Sequence, residues 1–134
     1  MGQCYYVECK VKIKNEENIV EALQRFMETR DTNFNLEDFA SRGIGTNSFD
    51  DLMRIIFADF PGNDFQRSEE EGGFAIYSSG FSASYGWESV MDDAFTVMAP
   101  FLAEGSELFV EPDIGWWRKT IKNGNKIEVQ ECDE

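Results

Sequence analysis

The chain has 134 residues, a formal net charge of −14, 42% hydrophobic residues and twelve phenylalanines. That length suits one domain over residues 1–134 with a single two-layer core, and the apolar content excludes a disordered acidic tail. The charge repels phosphate backbones and anionic lipid, so direct nucleic-acid and membrane-surface binding are excluded as leading functions and a basic protein surface is the expected partner.

Period-two alternation opens the chain. Tyr5, Val7, Cys9, Val11 and Ile13 fall on one face of a strand, and Tyr6, Glu8, Lys10, Lys12 and Lys14 on the other. With a strand this early no signal peptide is expected, and no apolar run approaches the roughly 20 residues of a bilayer span. Asn15 then caps a helix with Glu16 and Glu17 in its first turn and Ile19, Val20, Leu23, Phe26 and Met27 as its apolar stripe. Asn35 is expected to cap a short helix that turns Leu36, Phe39 and Ala40 inward and ends at Gly43. Ser48 caps the next, with Asp50 and Asp51 in the first turn, and Phe49, Leu52, Ile55, Ile56 and Phe60 apolar up to Pro61-Gly62.

A hairpin follows, with strands near Asp64–Ser68 and Phe74–Ser82 joined by the acidic turn Glu69-Glu70-Glu71-Gly72-Gly73. The stretch SSGFSASYGW reads as a strand end leading into a helix from Trp87 to Leu102, whose broad apolar face lies deep in the core. Pro100 bends its last turn and Gly105 ends it. Strands at Glu107–Glu111, Trp116–Lys122 and Lys126–Gln130 complete the chain. The order β-α-α(-α)-β-β-α-β-β-β with short connections predicts an α+β fold, an antiparallel sheet with helices packed on one face.

Two registers compete for the last hairpin. A two-residue turn at Asn123-Gly124 faces Thr120 with Ile127 and mixes polar and apolar residues on both sides. A three-residue loop with Gly124 in the left-handed region pairs Trp117 with Val129 and Lys119 with Ile127. The second separates the faces better and places Trp117 and Ile121 in the core. Leu108 and Val110 then point inward, and Phe109, Trp116 and Arg118 form an exposed aromatic-cationic patch of residue types enriched at binding hot spots.

Chemistry is sparse. The chain has no histidine, which removes the commonest general base and metal ligand, and it has no phosphate-cradling glycine loop. Cys4, Cys9 and Cys132 show no CxxC spacing and read as reduced cytoplasmic thiols rather than a zinc site or disulfide framework. No catalytic residue, metal site or cofactor is therefore expected. Residues 15–117 hold 21 of the 26 acids and five basic residues, all arginine, whereas every lysine lies in the first strand or the last hairpin. Lysines on edge strands guard against edge-to-edge pairing. The acids Asp50, Asp51, Glu69, Glu70, Glu71, Asp92 and Asp93, with Phe109, Trp116 and Arg118, are the candidate partner-binding residues.

Ala99, Pro100, Phe101, Leu102, Glu104, Gly105, Ser106, Trp117, Arg118 and Gly124 carry a resemblance. Residues 94–128 are similar to the C-terminal part of small acidic accessory proteins of bacterial and phage mobile elements, of the anti-CRISPR or anti-defence type. The resemblance implies an inhibitor of a nuclease or CRISPR effector and carries over no functional residue. An immunity protein neutralising a toxin shares that mechanism with a different partner. A small-molecule binding protein using the SSGFSASYGW region is the alternative from another class.

Overall fold

The computed structural model describes residues 2–29, 36–84, 87–112, 116–124 and 126–133. Six strands form one antiparallel sheet: β1 (Gly2–Val11), β2 (Asp64–Glu69), β3 (Ala75–Ser84), β4 (Glu107–Pro112), β5 (Trp116–Asn123) and β6 (Lys126–Asp133). Their spatial order is β2-β3-β1-β4-β5-β6. The helices are α1 (Glu16–Thr29), α2 (Leu36–Ser41), α3 (Phe49–Ile56) and α4 (Trp87–Met98). This is the α+β architecture that the alternation and helical stripes predict.

Hydrophobic alternation puts β1 at the centre, because its inward residues need cover on both flanks. Val7 pairs with Ser79 of β3 and Val110 of β4, and Cys9 with Tyr77 and Leu108. These inward residues join Ile19, Leu23 and Met27 of α1, Leu52, Met53 and Ile56 of α3, and Met91, Phe95 and Met98 of α4 in one buried cluster. Burial of so many large side chains on one sheet face supplies the main driving force for folding, at about 25 cal/mol per Å² of apolar area. The opposite face carries the alternate residues of every strand and none of the described helices.

Capping follows the sequence closely. Asn15 Oδ1 accepts from the Asn18 amide at 3.1 Å, and Ser48 Oγ accepts from the Asp51 amide at 3.1 Å. The expected cap of α2, Asn35, lies outside the described residues. Phe39 of α2 is buried and Leu36 packs half-buried against the core, as expected, whereas Ala40 is exposed. The last helix is shorter than its apolar stripe predicts. Regular α-helix stops at Met98 and a 3₁₀ turn, Ala99–Phe101, takes Pro100 at a position where its missing N–H does no harm. Gly105 then reverses the chain at φ 90°, a conformation that other residues rarely adopt.

The C-terminal hairpin takes neither register expected from face segregation. Asn123 pairs with Lys126, so the turn starts at Gly124, and Thr120 faces Val129 while Lys122 faces Ile127. Leu108 pairs with Thr120 and Val110 with Arg118. Arg118, Thr120 and Lys122 therefore share the helix-side face with Trp116, and Trp117, Lys119 and Ile121 lie on the open face. The expected placement of the two tryptophans is reversed.

Candidate functional site

The acids proposed as a partner surface separate into two kinds. Asp50 belongs to an internal cluster at the end of the sheet. Its carboxylate accepts from Arg54 Nε at 2.7 Å and from the Tyr77 hydroxyl at 2.8 Å, and lies 3.0 Å from Arg67 Nε. Burial raises the pKa of this carboxyl, but hydrogen bonds from Arg54 and Tyr77 and the nearby guanidiniums outweigh it and hold Asp50 below the usual carboxylate range. Tyr77 is pushed up to about 12, chiefly by burial. Asp92 on α4 is ion-paired to Arg118, so both belong to a tie between helix and hairpin. Asp51 packs against Gly45, where a Cβ would lie 2.5 Å from its Oδ2. Glu69 pairs with Arg67 and Glu70 with Lys10, whereas Glu71 stands exposed in the β2–β3 turn. Asp93 is half-buried on α4. These seven acids do not form one patch.

Arg118 and Trp116 are placed by the observed register, not by solvent. Arg118 donates to Asp92 and, from Nε at 3.0 Å, to Glu131 of β6, and its guanidinium sits 5.2 Å from the Trp116 ring centre. Burial lowers its pKa, but the Asp92 and Glu131 carboxylates raise it by more, leaving the guanidinium more firmly charged. Polar side chains tolerate the helix side here because each finds a partner.

Phe109 is where the alternation of β4 puts it, on the open face, but its neighbours differ from those expected. Tyr6 of β1 meets its edge, with ring centres 6.2 Å apart at 62°, and Trp117 of β5 lies 5.9 Å away at 34°. Three rings from three adjacent strands thus form a continuous row across the middle of the uncovered face. Tyr6 is 41% exposed, and its hydroxyl donates to Glu8 at 2.8 Å. Partial burial, then the Glu8 carboxylate, raise the Tyr6 pKa. Glu111 lies opposite Tyr6 on β4, and Asp64 of β2 faces Gly80, the other cross-strand neighbour of Tyr6. Below the rings, Glu8, Lys10, Glu107 and Lys119 surround Phe109 in a shallow depression of 220 Å³.

Comparison with known proteins finds no match to a family model, a curated protein or a solved structure. The functional reading therefore rests on the residues themselves. Among the described residues, no group of three or more Cys, Asp or Glu side chains is placed to hold one metal ion, and no helix is long and apolar enough to cross a membrane. Cys9 is buried at the centre of the sheet, where burial raises its thiol pKa and disfavours the reactive thiolate, while Cys4 is exposed.

Tyr6 and Trp117 are the functional candidates that face segregation missed. The signal for Tyr6 was present, since it alternates onto the wet side of the first strand. Trp117 was assigned to the core only because the hairpin register was chosen to maximise apolar segregation.

Proposed function

We propose that this protein acts by binding rather than by chemistry, and that its contact surface is the open face of the sheet centred on Tyr6, Phe109 and Trp117. The observation that carries this reading is the three-ring row on the face without helices. Clustered aromatics in a rigid sheet supply large contact area at little entropic cost, and such residues dominate binding energy at interfaces. Four acids, Glu8, Glu107, Glu111 and Asp64, against two lysines, Lys10 and Lys119, leave the surround of the row net negative, so its complement is a basic protein surface. A nucleic-acid channel of a nuclease or CRISPR effector, the partner class implied by the C-terminal resemblance, has that character. The protein would then inhibit by occupying the channel.

The test is retention of proteins from native host extract by the immobilised chain. A basic nucleic-acid-binding protein is expected to be retained, to be released by raised salt, and to escape the double variant Phe109→Ala/Trp117→Ala while that variant keeps its circular dichroism spectrum. Retention that ignores both salt and the double variant overturns the reading.

A further inference from the structure

Of the eleven described cations of this acidic chain, seven are ion-paired, and three of the other four gather in one place. Each of the five described arginines, Arg25, Arg42, Arg54, Arg67 and Arg118, is ion-paired, as are Lys10 and Lys119. Among the described residues, Lys12, Lys14, Lys122 and Lys126 have no carboxylate within ion-pair distance. Three of these four, Lys14, Lys122 and Lys126, line a single cleft of 510 Å³ between the 3₁₀ turn after α4 and the β5–β6 hairpin.

Backbone pairing builds the convergence. The Lys14 amide donates to Phe101 O at 2.9 Å, fixing the chain beyond β1 to the 3₁₀ turn, and Ile13 bridges Leu102. The Lys122 amide donates to Ser106 O at 2.9 Å, which brings β5 to the same turn from the other side. The Lys122 ammonium reaches into the body of the protein and donates to Ala99 O and, at 2.6 Å, to Leu102 O. It is buried, with an exposure of 8%, and adds a charged donor to Ala99 O, which also accepts from the Leu102 amide, and to Leu102 O just beyond the 3₁₀ turn. Burial first, and then the neighbouring Lys14 charge, lower its pKa. Two ammonium groups held this close, in a chain with more than twice as many acids as bases, are an unfavourable arrangement that an anion between them would relieve.

We propose that this cleft is a binding site for a small phosphomonoester. Among the described lining residues, three ammonium groups and one carboxylate, that of Glu104, leave a net positive charge of two. That charge matches a phosphomonoester, which carries about −1.5 to −2 at neutral pH. Lysine suits phosphate as a point charge with rotatable donors. Ala99, Pro100 and Ile127 supply an apolar wall for the organic part, and Ile127, 39% exposed, is one of few large apolar residues left uncovered. The cleft volume lies within the range of small-molecule sites, about 300–1,000 Å³. The site is remote in kind from the open-face aromatic row and does not depend on it.

Amide-resolved NMR titration of the isolated protein with phenyl phosphate, inorganic phosphate and benzoate tests the proposal. Phenyl phosphate is expected to give saturable shifts at Lys14, Gly124, Lys126 and Ile127, with inorganic phosphate weaker and benzoate weaker still. The exposed substitutions Lys14→Gln and Lys126→Gln together are expected to weaken phenyl phosphate binding by about tenfold or more without altering the fold. The absence of a saturable response to either phosphate, an affinity unchanged in the double variant, or benzoate binding as tightly as phenyl phosphate overturns it.

Discussion

The two faces of the sheet use alternate residues of the same strands, yet they obey different rules. On the helix side of β1, β3 and β4, burial decides: Val7, Tyr77 and Leu108 are covered because the helices leave no alternative. On the open side the same strands carry Tyr6, Ser78 and Phe109, chosen by neither burial nor avoidance of water. The hairpin β5–β6 lies beyond the best-covered part of the sheet and inverts the pattern. Its helix side holds Arg118, Thr120 and Lys122, and its open side holds Trp117 and Ile121. Thr120 and Lys122 are buried on the helix side all the same, and for Arg118 and Lys122 specific polar partners rather than hydrophobicity select the face.

Adjacent residues of β4 give the largest expected contrast. Leu108→Ala, on the covered face, should cost about 2–5 kcal/mol of stability by denaturant unfolding, and Phe109→Ala, on the open face, about 1 kcal/mol or less. Equal losses would mean that the two faces are not differently buried.

Asp50 comes next. Asp50→Asn should destabilise by about 1–2 kcal/mol near neutral pH, reduced from a fully buried value because its side chain is 40% exposed. The folded-state pKa of Asp50 is depressed, so its contribution is present above the unfolded carboxylate pKa and lost as pH falls through the folded value. Stability curves of the wild type and variant measured against pH should therefore converge in acid. A gap that widens below pH of about 4 would contradict the assignment.

The smallest contrast lies within β5. Arg118→Met cuts the link to Asp92 and Glu131 and should cost about 1 kcal/mol, with faster amide hydrogen exchange in β6. Its neighbour Lys119 points to the open face and has only a 3.9 Å contact with Glu107, so Lys119→Met should change stability by less than about 0.5 kcal/mol. Reversal of that order would restore the opposite hairpin register.

The candidate site was only partly legible. Alternation put Phe109 on the open face and Tyr6 on the wet side of β1, and both observations hold. Trp117 was hidden by the register, because a one-residue shift exchanges every side chain between faces. The spacing of Asp50 and Arg54 allows an i,i+4 pair, but the other partners of the paired acids, Arg67 and Tyr77 for Asp50 and Arg118 for Asp92, are far away in sequence and give no local signal.

Local periodicity by itself determined the helices, the central strand, the caps at Asn15 and Ser48 and the α+β class, because each depends on residues within a few positions of one another. It also exposed the segregation of lysines to the chain's two ends. Only the tertiary structure decided which way β5 faces and that Lys14, Lys122 and Lys126 meet in one cleft. Both depend on where the chain after α4 places the Ala99 and Leu102 carbonyls, and that position is set by packing across the whole core.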